Sequence, residues 1–165
     1  MVDFYDALLS RIQAKEVTVA VCGLGHVGLP MAMAAAAAGF RVLAIDVDEE
    51  HVNRLRRGQV HTPDVTNDEL AVALRSTQFQ VVMDYSLLGK ADVVLVCVPT
   101  PIDTNKVPNT QYLMAVLKEI ESHSREGQII ILESTSYPGT TEELFVPIAQ
   151  RRGLRLGQDL FLAFS

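Results

Sequence analysis

The sequence predicts an α/β protein built on a doubly wound parallel sheet in a single domain. Three observations carry that prediction. Short runs of β-branched and aliphatic residues, apolar throughout, alternate with helical patterns along the whole chain. A glycine-rich turn directly follows the first run, and an acidic residue closes the second. Strands apolar on both faces are buried on both faces, and buried strands alternating with helices form a parallel sheet. Right-handed crossovers then bring ligands to the carboxyl ends of the strands.

Each element follows from its local pattern. In residues 1–15, Phe4, Leu8 and Ile12 recur every four positions with Tyr5 and Leu9 beside them, which predicts a short amphipathic helix packed on this domain or on a partner. Residues 16–165 form the main domain. Val17–Cys22 (VTVAVC) reads as the first strand, and Val27–Ala38 as a helix rich in alanine and methionine that lies close on the sheet. Arg41–Asp46 is the second strand. Glu49–Arg57 is a polar-faced helix with Val52 and Leu55 turned inward, and its Arg54–Arg57 run (RLRR) reads as a solvated face, with an anion patch as the alternative. A loop over 58–67 carries Pro63. A short helix over Asp68–Arg75 follows, with Asn67 as its cap. Phe79–Met83 and Asp92–Val98 are strands three and four, Asn109–His123 a helix, Gln128–Glu133 strand five, Thr140–Arg152 a helix and Leu160–Phe164 strand six.

The totals narrow the function classes. The 165 residues suffice for one domain with a real core, and 48% hydrophobic with 21% charged residues is ordinary for a globular protein. A net charge of −6 gives no nucleic-acid footprint. An anionic ligand therefore depends on positive potential supplied locally by the fold. No apolar run reaches the roughly 18 residues of a membrane span, and the mixed-charge N-terminus does not read as a signal peptide. Cys22 and Cys97 lie within apolar runs, so small buried thiols in a cytoplasmic protein are expected rather than a disulfide. No metal site is expected, because His26, His61 and His123 lack ligand spacing and no Cys or carboxylate cluster joins them.

The chemistry concentrates after the strands. Gly23, Gly25 and Gly28 sit in G-L-G-H-V-G, Gly23 through Gly28 with Leu24, His26 and Val27 between them. Such a motif carries weight only between a strand and a helix, and here Cys22 ends the one while Val27 and Pro30 open the other. In a Rossmann-type domain the first glycine permits the tight turn. The second lets backbone approach a pyrophosphate, and the third lets helix and strand touch. Helix N–H groups then hold the phosphates. Asp46, 18 residues beyond Gly28, ends the second strand and is placed to accept from adenosine ribose hydroxyls. It would repel a 2′-phosphate, so NAD is favoured over NADP. His51 either reaches the adenosine side or is a plain surface histidine.

Strand four ends in Val98, Pro99, Thr100 and Pro101, and strand five in Glu133, Ser134, Thr135 and Ser136. Either loop alone reads equally well as a mere turn. Together with the glycine loop they converge on one crevice at the carboxyl edge.

Four motifs in this order resemble the UDP-glucose/GDP-mannose dehydrogenase family over nearly the whole chain. They are G-L-G-H-V-G-L-P-M-A (23–32), I-D-V-D (45–48), C-V-P-T-P-I-D (97–103) and E-S-T-S-Y-P-G-T (133–140). The segment L-L-S-R-I-Q (8–13) further resembles the branch acting on UDP-N-acetylglucosamine or UDP-N-acetylmannosamine. The resemblance implies NAD-dependent oxidation of a UDP-sugar C6 hydroxyl to a carboxylate in two hydride transfers, through a cysteine thiohemiacetal and thioester. It implies that Thr135 helps to position the catalytic water. It also implies that residues 23–28, Asp46, 98–101 and 134–136 touch the cofactor.

His26 departs from the family's usual tyrosine, and Ser136-Tyr137 from its usual Val-Pro. The family's essential glutamate, its catalytic cysteine, its central dimerising helix and most of its sugar-nucleotide contacts are expected beyond Ser165. The chain alone is therefore expected to bind NAD without turnover, as part of a homodimeric enzyme. Two rivals stand beside this reading. A β-hydroxyacid dehydrogenase shares the glycine loop but would lack S-T-x-x-P-G-T. A stand-alone NAD-binding module would not catalyse.

Overall fold

The six strands are short, mostly apolar runs, and their burial shows why they pair in parallel. β1 (Thr18–Cys22) is buried at every position, and β2 (Arg41–Ile45) at every position after its first. In the computed structural model, which describes residues 3–100, 109–134 and 139–165, they join β3 (Phe79–Val82), β4 (Val93–Val96), β5 (Gln128–Leu132) and β6 (Leu160–Phe164) in one sheet. The order is β3-β2-β1-β4-β5-β6, and every pair is parallel. The order reverses beside β1, so the crevice between the carboxyl ends of β1 and β4 is the topological switch point.

Alternate strand residues feed two separate cores, as the two-residue period of a strand demands. On one face Ala20, Cys22, Leu43, Ile45, Val94 and Val96 pack under α5 (Gln111–His123) and α6 (Val146–Arg151). On the other, Val19, Val21, Val42, Ala44 and Leu95 pack under four helices: α1 (Phe4–Gln13), α2 (Gly28–Ala37), α3 (Glu49–Arg56) and α4 (Asn67–Leu74). α1 docks on this domain. Asp3 caps it by accepting from the N–H groups of Tyr5 and Asp6, Leu8 is buried, and Arg11 reaches across to Asp92.

Four local readings need correction. The cap of α4 is Thr66, not Asn67. Thr66 Oγ1 accepts from the Glu69 N–H at 3.2 Å while Glu69 accepts from the Thr66 N–H at 2.8 Å, a capping box written in T-N-D-E. Asn67 instead accepts from the Val60 N–H at 2.8 Å. The helix expected over Thr140–Arg152 is divided. Thr141–Phe145 is a π-helical turn and α6 begins at Val146, because Pro147 has no N–H and fits only the first turn of a helix. A 3₁₀ segment, Tyr85–Lys90, capped by Asp84 and buried through Leu88, joins β3 to β4 where no element was expected. The Arg54–Arg57 run is also only partly a solvated face. Arg56 Nε donates to the Val81 carbonyl at 2.9 Å and ties α3 to β3, and Arg54 Nε is buried.

Candidate functional site

The glycine loop leaves β1 between its neighbours, and each glycine is required for a different reason. Gly23 has φ 89°, a left-handed conformation, and a Cβ there would lie 3.0 Å from the Cys97 carbonyl oxygen. At Gly28 a Cβ would collide with the Gly23 carbonyl, so only glycine lets α2 start this close to the strand. Gly25 is exposed, and a Cβ there would meet nothing within 4 Å. The space above the middle glycine is open.

The start of α2 is chemically unlike those of α1, α3 and α4. Its N-cap, Val27, makes no side-chain bond, and its first turn carries no acid. The positive end of the helix dipole thus has no internal anion. An anion placed over Gly25 would meet backbone N–H groups rather than carboxylates.

Asp46 lies half-buried just past β2 and is bonded to the loop itself. Its Oδ2 accepts from the Leu24 N–H at 2.8 Å and its Oδ1 from the Asp48 N–H at 3.0 Å. A carboxylate offers about four lone-pair sites, so two N–H donors leave room for ribose hydroxyls. Asp48 in turn caps α3 by accepting from the His51 N–H at 3.0 Å, a bond that holds its carboxyl below the usual range.

His51 is not a surface histidine. It is 7% exposed, and its Nε2 lies 2.9 Å from the Leu24 carbonyl. A carbonyl only accepts, so Nε2 carries the proton. Asp46 and His51 thereby hold the two backbone groups of Leu24, itself fully buried, and fix the loop from the β2 side.

Beyond β4, Val98 is buried, Pro99 exposed and Thr100 half-buried. Beyond β5, the Ser134 hydroxyl is buried against the Val98 and Val96 carbonyls at 2.7 and 3.1 Å. Ser134 thus welds the two strand ends together from beneath. Pro101, Thr135 and Ser136 lie outside the described residues.

Cys97 donates its N–H to the Cys22 carbonyl at 2.8 Å, yet the two thiols belong to cores on opposite faces of the sheet, and both are free. Burial, together with Glu133, pushes the Cys97 thiol up to about 12, and burial pushes Cys22 higher still. Neither is a nucleophile at neutral pH.

Sequence spacing gave no sign of one further feature. His61, on the α3–α4 loop, sets its ring edge-on against His51 with centroids 4.5 Å apart, and lies 6.1 Å from the ring of His26. Three of the chain's four histidines meet beside the glycine loop. Among the described residues, no group of three or more His, Cys, Asp or Glu is arranged to hold a metal ion. No described helix is long and apolar enough to cross a membrane.

Comparison with known proteins gives the family of the chain. Residues 17–163 fit the family described as UDP-glucose/GDP-mannose dehydrogenase family, NAD binding domain. The UDP-N-acetyl-D-glucosamine 6-dehydrogenase of Pseudomonas aeruginosa is 37% identical over 152 residues, 92% of this chain and 35% of the relative. The UDP-N-acetyl-D-mannosamine dehydrogenase of Methanococcus aeolicus is 32% identical, over 94% of this chain and 35% of the relative. The solved structure of the UDP-D-ManNAc dehydrogenase of Pyrococcus horikoshii superposes with a TM-score of 0.82 at 30% identity, over 89% of this chain and 35% of that one. The chain spans about a third of the length of these relatives, and it belongs to the UDP-glucose/GDP-mannose dehydrogenase family as its NAD-binding domain.

Proposed function

We propose that this chain is the cofactor half of a nucleotide-sugar 6-dehydrogenase that oxidises the C6 hydroxyl of a UDP-sugar, a UDP-N-acetylhexosamine, to the carboxylate with two equivalents of NAD. The observation that carries the reading is the glycine loop locked to the β2 acid: open space over Gly25, an uncapped α2, and Leu24 held by Asp46. The family match and the relatives named for UDP-N-acetylhexosamines support the substrate class.

In this reading the backbone of residues 23–28 takes the diphosphate, and Asp46 takes the adenosine ribose. His51 touches Leu24 rather than the ligand and acts as a positioning residue. Val98 to Thr100 and Ser134 stand at the ends of β4 and β5 on this side of the sheet, and the family resemblance assigns cofactor contacts to Pro101, Thr135 and Ser136 as well and gives Thr135 the water of the hydrolytic step. Bound there, NAD supplies the hydride acceptor. The thiolate that captures the aldehyde comes from outside this chain, since Cys22 and Cys97 are buried with their thiols protonated. The complete enzyme is a cytoplasmic homodimer paired through its central region.

The test is calorimetry of NAD and NADP with this chain and with Asp46→Asn. NAD is expected to bind, NADP not, and Asp46→Asn to weaken NAD about tenfold. NAD reduction by this chain alone with any UDP-sugar would overturn the division of labour. Equal affinity for NAD and NADP would overturn the role of Asp46.

A further inference from the structure

We propose that the exposed imidazoles of His26 and His61 recognise the diphosphate of NAD as a proton-dependent anion contact, in addition to the backbone of the glycine loop. The inference rests on the NAD-binding reading above and extends it to a residue, His61, that no motif singles out.

Position is the first argument. His26 follows Gly25, the glycine with open space above it, and the His61 ring lies 6.1 Å away. His61 comes from a separate loop and is held by its edge-on contact with the buried His51, whose own Nε2 is fixed on Leu24. His51 thus touches both the loop backbone at Leu24 and the ring of His61, and the rings of His61 and His26 are exposed beside the loop.

Charge is the second. The protein carries a net charge of −6, yet this corner gathers His26, His51, His61 and Arg54. Among the described residues, none of these four takes part in an ion pair, and Arg54 Nε is buried with no hydrogen-bond partner. The groups facing His61 are His51 and Arg54 from α3, His26 from the glycine loop and Asp46 from the end of β2. Asp46 already accepts two backbone N–H groups, and the nearby Asp48 is committed to capping α3. Asp46 and Asp48 offset part of this charge, but neither is ion-paired to the four basic groups, and the two exposed rings leave a place for a further anion.

Proton linkage is the third. Burial, then the neighbouring His51, Arg54 and His26, hold the His61 imidazole below its ordinary value, with Asp46 opposing. A diphosphate beside the ring reverses that balance, so the ring gains a proton as the ligand binds. Affinity then rises as pH falls through the histidine range.

The experiment is calorimetry of NAD and of adenosine at about pH 6 and about pH 8, in two buffers of different ionisation enthalpy. Wild-type chain is expected to bind NAD roughly fivefold more tightly at the lower pH, with net proton uptake. Adenosine, which lacks the diphosphate, is expected to show neither effect. The His26→Asn/His61→Asn double variant, checked for folding by circular dichroism, is expected to lose both the pH dependence and the proton uptake. NAD binding that is pH-independent and without proton uptake overturns the proposal while the NAD-binding reading stands. A double variant weakened equally at both pH values overturns it too, in favour of neutral rings stacking on adenine. Failure of the wild-type chain to bind NAD at all overturns both.

Discussion

The two ends of one sheet are built on opposite principles. At the amino edge the buried charged and amide side chains Asp92 and Gln128 are closed on partners. Asp92, with its side chain 3% exposed, accepts from the Thr18 N–H at 2.9 Å, from both terminal nitrogens of Arg11 and from Arg125. Gln128, 1% exposed, donates to the Leu88 and Ala91 carbonyls and accepts from the Arg125 N–H. At the carboxyl edge, around the same central strands, a helix begins uncapped, a glycine faces open space and, among the described residues, His26, His61 and Arg54 make no ion pair. Unsatisfied polarity is costly where it is buried and useful where it is reachable. The amino edge therefore carries stability, and the carboxyl edge is where the proposed recognition falls.

Substitutions at the two edges separate these roles. Gly28→Ala has the largest expected effect, because its Cβ collides with the Gly23 carbonyl and disturbs strand and loop together. We expect a loss of about 3 kcal/mol in urea unfolding and no measurable NAD binding. Asp92→Ala comes next. It removes the common acceptor of Arg11, Arg125 and Thr18. The guanidiniums are nearly half exposed and rehydrate, so the expected loss is about 2 kcal/mol, with NAD affinity unchanged within about twofold. Should Asp92→Ala weaken NAD as much as Gly28→Ala does, the separation of edges fails.

The amino edge also sets an acid limit. Burial pushes the Asp92 carboxyl up, but bonds from Arg11, Thr18 and Arg125 outweigh it and hold it below the usual range. A depressed folded value means that the stabilisation is complete above the unfolded value, near 4, and is lost as pH falls through the folded one. Unfolding free energy should drop below about pH 4 in wild type and drop less steeply in Asp92→Ala. The smallest effect on stability belongs to Gly25→Ala. Its Cβ meets nothing, so stability should stay within about 0.5 kcal/mol while NAD weakens by about tenfold or more. Equal affinity in this variant would mean that no ligand approaches over Gly25.

Much of the fold was legible because its signals are local. A five-residue apolar run such as VTVAV specifies a buried strand wherever it lands, and the G-x-G-x-x-G spacing specifies a strand–turn–helix through the conformations that only glycine allows. The six strands were read within about two residues of their observed ends. The capping box at Thr66 is equally local and is present in T-N-D-E; a helix start set one residue late, at Asp68, puts the cap on Asn67 instead. The break at Val146 was legible too, in Pro147.

What the sequence by itself determined is the six strands, most of the helices between them, the glycine loop and the acid that ends β2, because each depends on backbone conformation and side-chain period within a few residues. Tertiary structure alone decided which groups face one another. It set Cys22 and Cys97 side by side in backbone but on opposite faces, turned the Ser134 hydroxyl onto the β4 end, and buried His51 against Leu24. It also brought His61 to within 6.1 Å of His26 across 35 residues of chain. Such meetings depend on where a loop returns after a helix has docked, and that is fixed by the packing of the core rather than by any spacing along the chain.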